Sequence, residues 1–176
     1  MCSSDLTLTV PVTVASDATV GARSVTVTNG DGGTSTTSSV FTVVAAPAAT
    51  SASPSSRGQG ASQTTVTITG SNFTASSTVS ISGDGLTVGS TTYVNASTLT
   101  VPVTVASDAT VGARSVTVTN GDGGTSTTSS VFTVVAAPAA TSVSPSSRGQ
   151  GASQTTVTIT GSNFTASSTV DRKSTR

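Results

Sequence analysis

The string SVTVTNGDGGTSTTSSVFTVV spans Ser24–Val44 and returns letter for letter at Ser115–Val135. Extending the match fixes a period of 91 residues, with Thr7–Val79 mapping onto Thr98–Val170 through one change, Ala52 to Val143. Solenoid coils repeat every ~20–50 residues, so a period of this length describes consecutive small domains instead. Only Ser80–Ser97 occurs once, and the 176 residues fall short of two periods. The expected organisation is therefore the end of one repeat (residues 7–45), a complete repeat (46–136) and the start of a third (137–170).

Roughly two residues in five are Ser or Thr, and charged residues make up 8%. Such a composition can belong to a disordered chain, but here valine alternates with threonine, which is the period of a strand. TTVTITG (Thr64–Gly70), TLTVPVTV (Thr98–Val105) and RSVTVTN (Arg114–Asn120) each put Val, Ile or Leu on one face and mostly Thr on the other. Branching at Cβ suits both types to a pleated strand, with one face packed and the other hydroxylated toward water. No long stretch carries an apolar period of about 3.6 residues, so an all-β chain is predicted.

Within the complete unit, TSASPSS opens a short strand that gives way at Pro54 to a Ser/Gly loop reaching Gly60. The second strand, TTVTITG, turns Val66 and Ile68 inward and is broken by GSNF, where Gly70 and Asn72 tolerate positive φ and Phe73 plugs the core. STVSISG (Ser77–Gly83) turns in Val79 and Ile81, Asp84–Gly85 makes a tight turn, and LTVGSTTYV (Leu86–Val94) continues as one strand. TLTVPVTV presents Leu99, Val101, Val103 and Val105 together; Pro102 lacks an N–H, which predicts an edge strand or a bulge. RSVTVTN and SVFTVV close the unit as a hairpin around NGDGG (Asn120–Gly124), with Phe132 and Val134 inward. About seven short strands at this spacing predict a β-sandwich.

The run SPSSRGQGASQTTVTITGSNF…STVSISG followed by VTVTNGDGGTSTTSSVFTV resembles the immunoglobulin-like IPT/TIG domains, over residues 7–170. The resemblance implies an immunoglobulin-like β-sandwich of the form common in bacterial secreted and surface proteins. The cysteines and core Trp of antibody domains are missing, which excludes that subclass and leaves the sandwich. Some relatives bind DNA through basic loops; with two Arg per period and no Lys in the repeat, that property is not carried over. Absence of Lys likewise removes the Lys–Asn crosslink of some surface adhesins.

The flanking pieces are expected to supply the last three or so strands of one sandwich and the first three of another. Each leaves an unpaired edge and a bare apolar face. As complementary parts of one domain type they are expected to dock with each other, within or between chains, without the Ser80–Ser97 strands. The ends MCSSDL (1–6) and DRKSTR (171–176) differ from the repeat and hold the sole Cys, Cys2, and the sole Lys, Lys173. DRKSTR resembles the translation of the sequencing adapter GATCGGAAGAGCACACGT, and the reverse complement of that DNA reads as a start codon followed by Cys-Ser-Ser-Asp. Both ends are read as adapter-derived and are set aside from fold reasoning.

Chemistry is hard to find in this alphabet. Catalysis needs a tunable acid, base or nucleophile; the chain has no His and no Glu, and its Cys and Lys lie in the doubtful ends. No catalytic, cofactor-binding or metal-binding residues are assigned, no cofactor is expected, and the chain is not read as an enzyme. Asp84 and Asp122 each stand alone in their loops, whereas calcium gathers several carboxylates; both read as turn residues. Asp108 reads as a cap on its own loop, with Arg114 as a surface partner worth little, and Arg57 as a solvated loop residue. Asn72, Asn95 and Asn163 match the N-glycosylation pattern but read as unused, with Asn72 a turn residue. Four Arg and five Asp in the repeat form no patch for nucleic acid, no apolar run spans a membrane, and Tyr93 alone is a thin platform for a sugar.

The function expected is a non-catalytic structural or adhesion module from a secreted or surface-displayed bacterial tandem-repeat protein. Its expected partners are the other immunoglobulin-like repeats of its parent chain, together with a cell-surface or glycan ligand of unknown identity. The alternative is an accessory immunoglobulin-like domain of a secreted enzyme, with carbohydrate as its candidate ligand.

Overall fold

TLTVPVTV occurs twice and becomes a strand once. In the computed structural model, which describes residues 7–171, it is extended and paired on both sides at Thr98–Val105, and it joins no strand at Thr7–Val14. Leu99, Val101, Val103 and Val105 are at most 2% exposed, whereas Leu8, Val10, Val12 and Val14 are 48–72% exposed. Eight identical residues therefore owe their strand to neighbours rather than to propensity, as β-propensity is largely packing on a half-buried surface.

The chain divides into two compact units, Met1–Ala46 and Pro47–Arg176. The first contains β1 (Gly21–Thr28) and β2 (Thr34–Val43), an antiparallel hairpin standing as a two-stranded sheet. The second opens with β3 (Ala48–Ser53), β4 (Ser56–Gly58), β5 (Thr64–Ser71), β6 (Thr78–Ile81), β7 (Leu86–Val88), β8 (Thr92–Asn95), β9 (Thr98–Val105), β10 (Gly112–Thr119) and β11 (Thr125–Val135). It ends with a separate antiparallel pair, β12 (Ala139–Ser144) and β13 (Thr158–Ser162). No helix occurs among the described residues. Of the ends read as adapter-derived, all but Asp171 lie outside the described residues.

Strands β3–β11 build two sheets. One has the order β4-β11-β10-β6; the other has β3-β5-β9-β7, with β8 also paired to β9. Between them lies one apolar layer, with Val79, Ile81, Val116, Val118, Phe132 and Val134 from the first sheet meeting Val66, Ile68, Leu99, Val101, Val103 and Val105 from the second. This is an immunoglobulin-like β-sandwich, and the inward residues are those the alternation selects. Phe73 joins the layer from the loop after β5, as expected.

Several details depart from the sequence reading. The stretch after Pro54, expected to be a loop, contains β4, which runs parallel to β11 with Arg57 opposite Val134. LTVGSTTYV is two strands, since the chain leaves the sheet between Val88 and Thr92. The tight turn expected at Asp84–Gly85 is present, and it carries the chain from β6 in one sheet to β7 in the other. The flanks contribute two strands each rather than three.

Pro102 sits inside β9, not at an edge, and the reason is local. The N–H and C=O of a strand residue point the same way, and the Pro102 carbonyl accepts the Gly89 N–H at 2.8 Å. The missing N–H therefore faces the gap between β7 and β8, where no ladder bond is lost. A Cβ on Gly89 would stand 2.6 Å from Pro102 Cγ, so the gap needs glycine.

β11 also carries an unforeseen bulge. The register steps from Arg114↔Phe132 to Val116↔Thr128, and Ser130 takes φ +59°. Ser39 repeats it in β2 at φ +58°. The two extra residues leave the alternation in phase: Ser126 and Thr128 before the bulge and Phe132 and Val134 beyond it share the inward face.

The leading hairpin displays what the sandwich hides. Val25, Val27 and Phe41 are 40–45% exposed, while their counterparts Val116, Val118 and Phe132 are fully buried. Val143, Val157 and Phe164 are similarly open in the trailing piece. The expectation of bare apolar faces holds for both.

Candidate functional site

Two polar constructions stand at opposite ends of the complete sandwich. Ala49 marks the incoming end, where its carbonyl accepts the Thr128 hydroxyl. The outgoing end is Val135, seven residues further along β11 and roughly 20 Å away at ~3.3 Å per residue.

At the incoming end, Asn120 is 3% exposed and Ser77 5%. The Ser77 hydroxyl donates to Asn120 Oδ1 at 2.6 Å, and Asn120 Nδ2 donates to the Asn72 carbonyl at 2.8 Å. Ser77 Oγ accepts the Thr74 N–H at 2.8 Å, and the Asn120 N–H donates to the Gly124 carbonyl at 2.8 Å. The network ties the loop after β5 to the β10–β11 turn, and buried polar groups need such partners. Asn72 adopts φ +57°, the left-handed turn residue expected of it.

Asn29 repeats Asn120 in the leading hairpin, where it is exposed. Replacing Asn120 by Ala is expected to cost the sandwich about 2 kcal/mol, because the Ser77 hydroxyl and the Asn72 carbonyl each lose a buried partner. Asn29→Ala is expected to leave the urea midpoint of the sandwich unchanged. Equal midpoints for the two variants would remove the network from the account.

At the outgoing end, Gln59 does three things at once. Its N–H donates to the Val135 carbonyl at 2.9 Å, Nε2 donates to the Ala109 carbonyl at 2.7 Å, and Oε1 accepts the Ala137 N–H at 3.3 Å. From the far side, Asn163 Nδ2 donates to the Ala137 carbonyl at 3.0 Å. The linker residue Ala137 is thus held by the complete sandwich through its N–H and by the following repeat through its C=O. Pro138 further restricts it by excluding helical backbone at the preceding residue. Sequence reading missed Gln59, a single amide among glycines whose partners lie 50 and 78 residues away.

The titratable residues keep apart. Asp122 accepts the Gly124 N–H at 2.9 Å, the turn role expected of it. Asp84 and Asp108 are exposed. Arg114 is not a surface partner of Asp108: it is 9% exposed, lies over Gly83 and donates to the Thr110 carbonyl. Arg57 is not solvated either; it is half-buried on β4 and donates to the Ser62 carbonyl at 3.0 Å. Both arginines fasten loops through backbone carbonyls. Asn95 Oδ1 accepts the Ser97 N–H at 2.9 Å, a local turn. Tyr93 is 39% exposed on β8. Among the described residues no three Asp, Glu, His or Cys side chains gather as metal ligands, and no helix is long and apolar enough to cross a membrane.

Two sheets, a Phe-plugged core and the VTVTNGDGG hairpin correspond to a known domain type. The family model for the IPT/TIG domain matches residues 47–134, half of the chain. The chain belongs to the IPT/TIG family. Searched against curated proteins, it finds no match. The IPT/TIG domain is a non-enzymatic immunoglobulin-like type.

Proposed function

We propose that this IPT/TIG chain comes from a tandem-repeat protein, secreted or displayed on a bacterial surface. In that protein its sandwiches act as non-catalytic spacers or adhesion modules that hold other parts away from the cell. The reading is supported chiefly by the joint at Ala137, hydrogen-bonded from both neighbouring repeats. A spacer needs such fixed joints, because a free linker would let the string coil. A three-repeat array built on the 91-residue period is expected to scatter X-rays as a rod whose maximum dimension grows in step with repeat number. Gln59→Ala together with Asn163→Ala at each joint is expected to shorten and broaden the distance distribution while leaving each sandwich folded. An array as compact as a flexible string before mutation overturns the spacer reading.

A second reading, an accessory carbohydrate-binding domain of a secreted enzyme, is favoured by one observation. Tyr93 and Val94 are both exposed on β8, which pairs only with β9. A glycan array probed with the complete sandwich, and with Tyr93→Ala beside it, decides between them: binding lost in the variant supports this reading.

A further inference from the structure

Three Asn-x-Ser/Thr strings occur in the chain, at Asn72, Asn95 and Asn163. All three read as unused from sequence, and the fold separates them. Asn72 heads Asn-Phe-Thr, whose middle residue, Phe73, is 3% exposed at the end of the core. The Asn72 carbonyl accepts Asn120 Nδ2, and the Thr74 hydroxyl lies 3.2 Å from that of Ser76, turned toward its own loop. A transferase would have to unseat the ring to take this string into a cleft. Asn163 heads the same string in the following repeat, and its Nδ2 is spent on the Ala137 carbonyl.

Asn95 differs at each of these points. Asn95, Ala96 and Ser97 are all exposed, where the chain turns from β8 into β9 with Asn95 opposite Thr98. Asn95 Oδ1 accepts two hydrogen bonds from Ser97, from its N–H at 2.9 Å and from its hydroxyl at 2.8 Å, while Nδ2 donates to no described residue. An amide nitrogen is a poor nucleophile because its lone pair is delocalised onto the oxygen. Two donors on that oxygen ease loss of an Nδ2 proton, since hydrogen bonds to the charged form favour it. The turn is also held from behind: the Ala96 carbonyl accepts the Phe73 N–H at 3.0 Å, and the Ser97 carbonyl accepts the Gly70 N–H at 2.9 Å. The folded sandwich therefore presents this string already arranged.

We propose that Asn95 is an acceptor for N-linked glycosylation, with a glycosyl phosphate, activated through a nucleotide or a lipid pyrophosphate, as the donor. Nδ2 attacks the anomeric carbon and forms the new C–N bond. The C–O bond to phosphate breaks, the phosphate leaves with the electron pair, and the Nδ2 proton passes to a base of the transferase. The sugar stands at the end of β8, which pairs only with β9, and shields that open edge beside Tyr93 and Val94. Edge strands need such cover against pairing with other chains. The proposal stands independently of the two functional readings above.

The test incubates the folded 176-residue chain with two asparagine-glycosylating transferases, one fed a nucleotide-linked sugar and the other a lipid-pyrophosphate-linked sugar. Both are chosen because they modify synthetic peptides carrying the Asn72 and Asn95 strings at equal rates. Mass spectrometry of the digested product reads the sites. In the folded chain Asn95 is expected to be modified roughly tenfold faster than Asn72, or more, because Asn72 waits for its loop to open. Ser97→Thr keeps the hydroxyl and is expected to keep the modification; Ser97→Ala is expected to lose it with the urea midpoint unchanged. The arm that modifies Asn95 identifies the donor. Asn95 left unmodified in both arms overturns the proposal. So does equal modification of Asn72 and Asn95 in the folded chain, or a Ser97→Ala variant modified as fast as the parent.

Discussion

Truncating Phe132 to Ala is expected to cost the complete sandwich about 3–5 kcal/mol, while the same truncation at Phe41 leaves that sandwich's unfolding midpoint where it was. The two residues occupy the same place in identical strings. Phe132 is fully buried between the sheets, and Phe41 is 40% exposed in the leading hairpin. Loss of Phe132 removes the largest fully buried side chain of the core, and the β-branched walls around it cannot collapse far because branching holds χ1. A small domain of this kind has about 5–15 kcal/mol in all, so the variant is expected near the edge of folding at room temperature. Urea unfolding followed by circular dichroism, at concentrations low enough to keep chains apart, measures both. A shift for Phe41→Ala equal to that for Phe132→Ala contradicts the assignment of the core to residues 47–134.

The second large effect needs only one methyl group. Gly70→Ala is expected to destabilise the sandwich by ~3 kcal/mol or more, at the upper end of what overpacking costs. A Cβ there would lie 2.1 Å from the Ala48 carbonyl oxygen and 2.5 Å from Phe73 Cζ. The first obstacle is backbone, held in place by the β3–β5 ladder, whose register shifts between Ala49 and Ser51. The second is the ring that fills the end of the core. Neither can step aside without opening the strand pair. Gly58 on β4 provides the control, because nothing lies within 4 Å of its added Cβ; Gly58→Ala is expected to stay within ~0.5 kcal/mol of the parent. Comparable urea midpoints for the two alanine variants would show that close approach at Gly70 does not matter.

These contrasts show where sequence reading succeeds. Alternation names the inward residues of β5, β9 and β10 correctly because one face of each strand is dry and a slip of one residue would expose all of it. The NGDGG turn was legible because its hydrogen bonds are local, from Asn120 to Gly124. What escaped depends on distant partners. β4 has three residues and exists only through parallel pairing with β11. The burial of Asn120 depends on Ser77, 43 positions earlier. Arg57 and Arg114 looked like solvated charges because nothing in their neighbours announces the carbonyls they fasten. Pro102 escapes the edge expectation because the strand beside β9 is interrupted where its missing N–H points. The polar ends of the sandwich, where the candidate joint lies, were thus the least legible part.

The double life of TLTVPVTV bears on how such a protein is made. A ribosome releases residues 7–14 well before β5, and β5 before its proper mate at 98–105. A newly emerged β5 therefore meets a perfect decoy while the authentic strand is still unsynthesised. Copies this alike are expected to keep their pairing when each closes before its successor leaves the exit tunnel, which ties correct assembly to the tempo of translation.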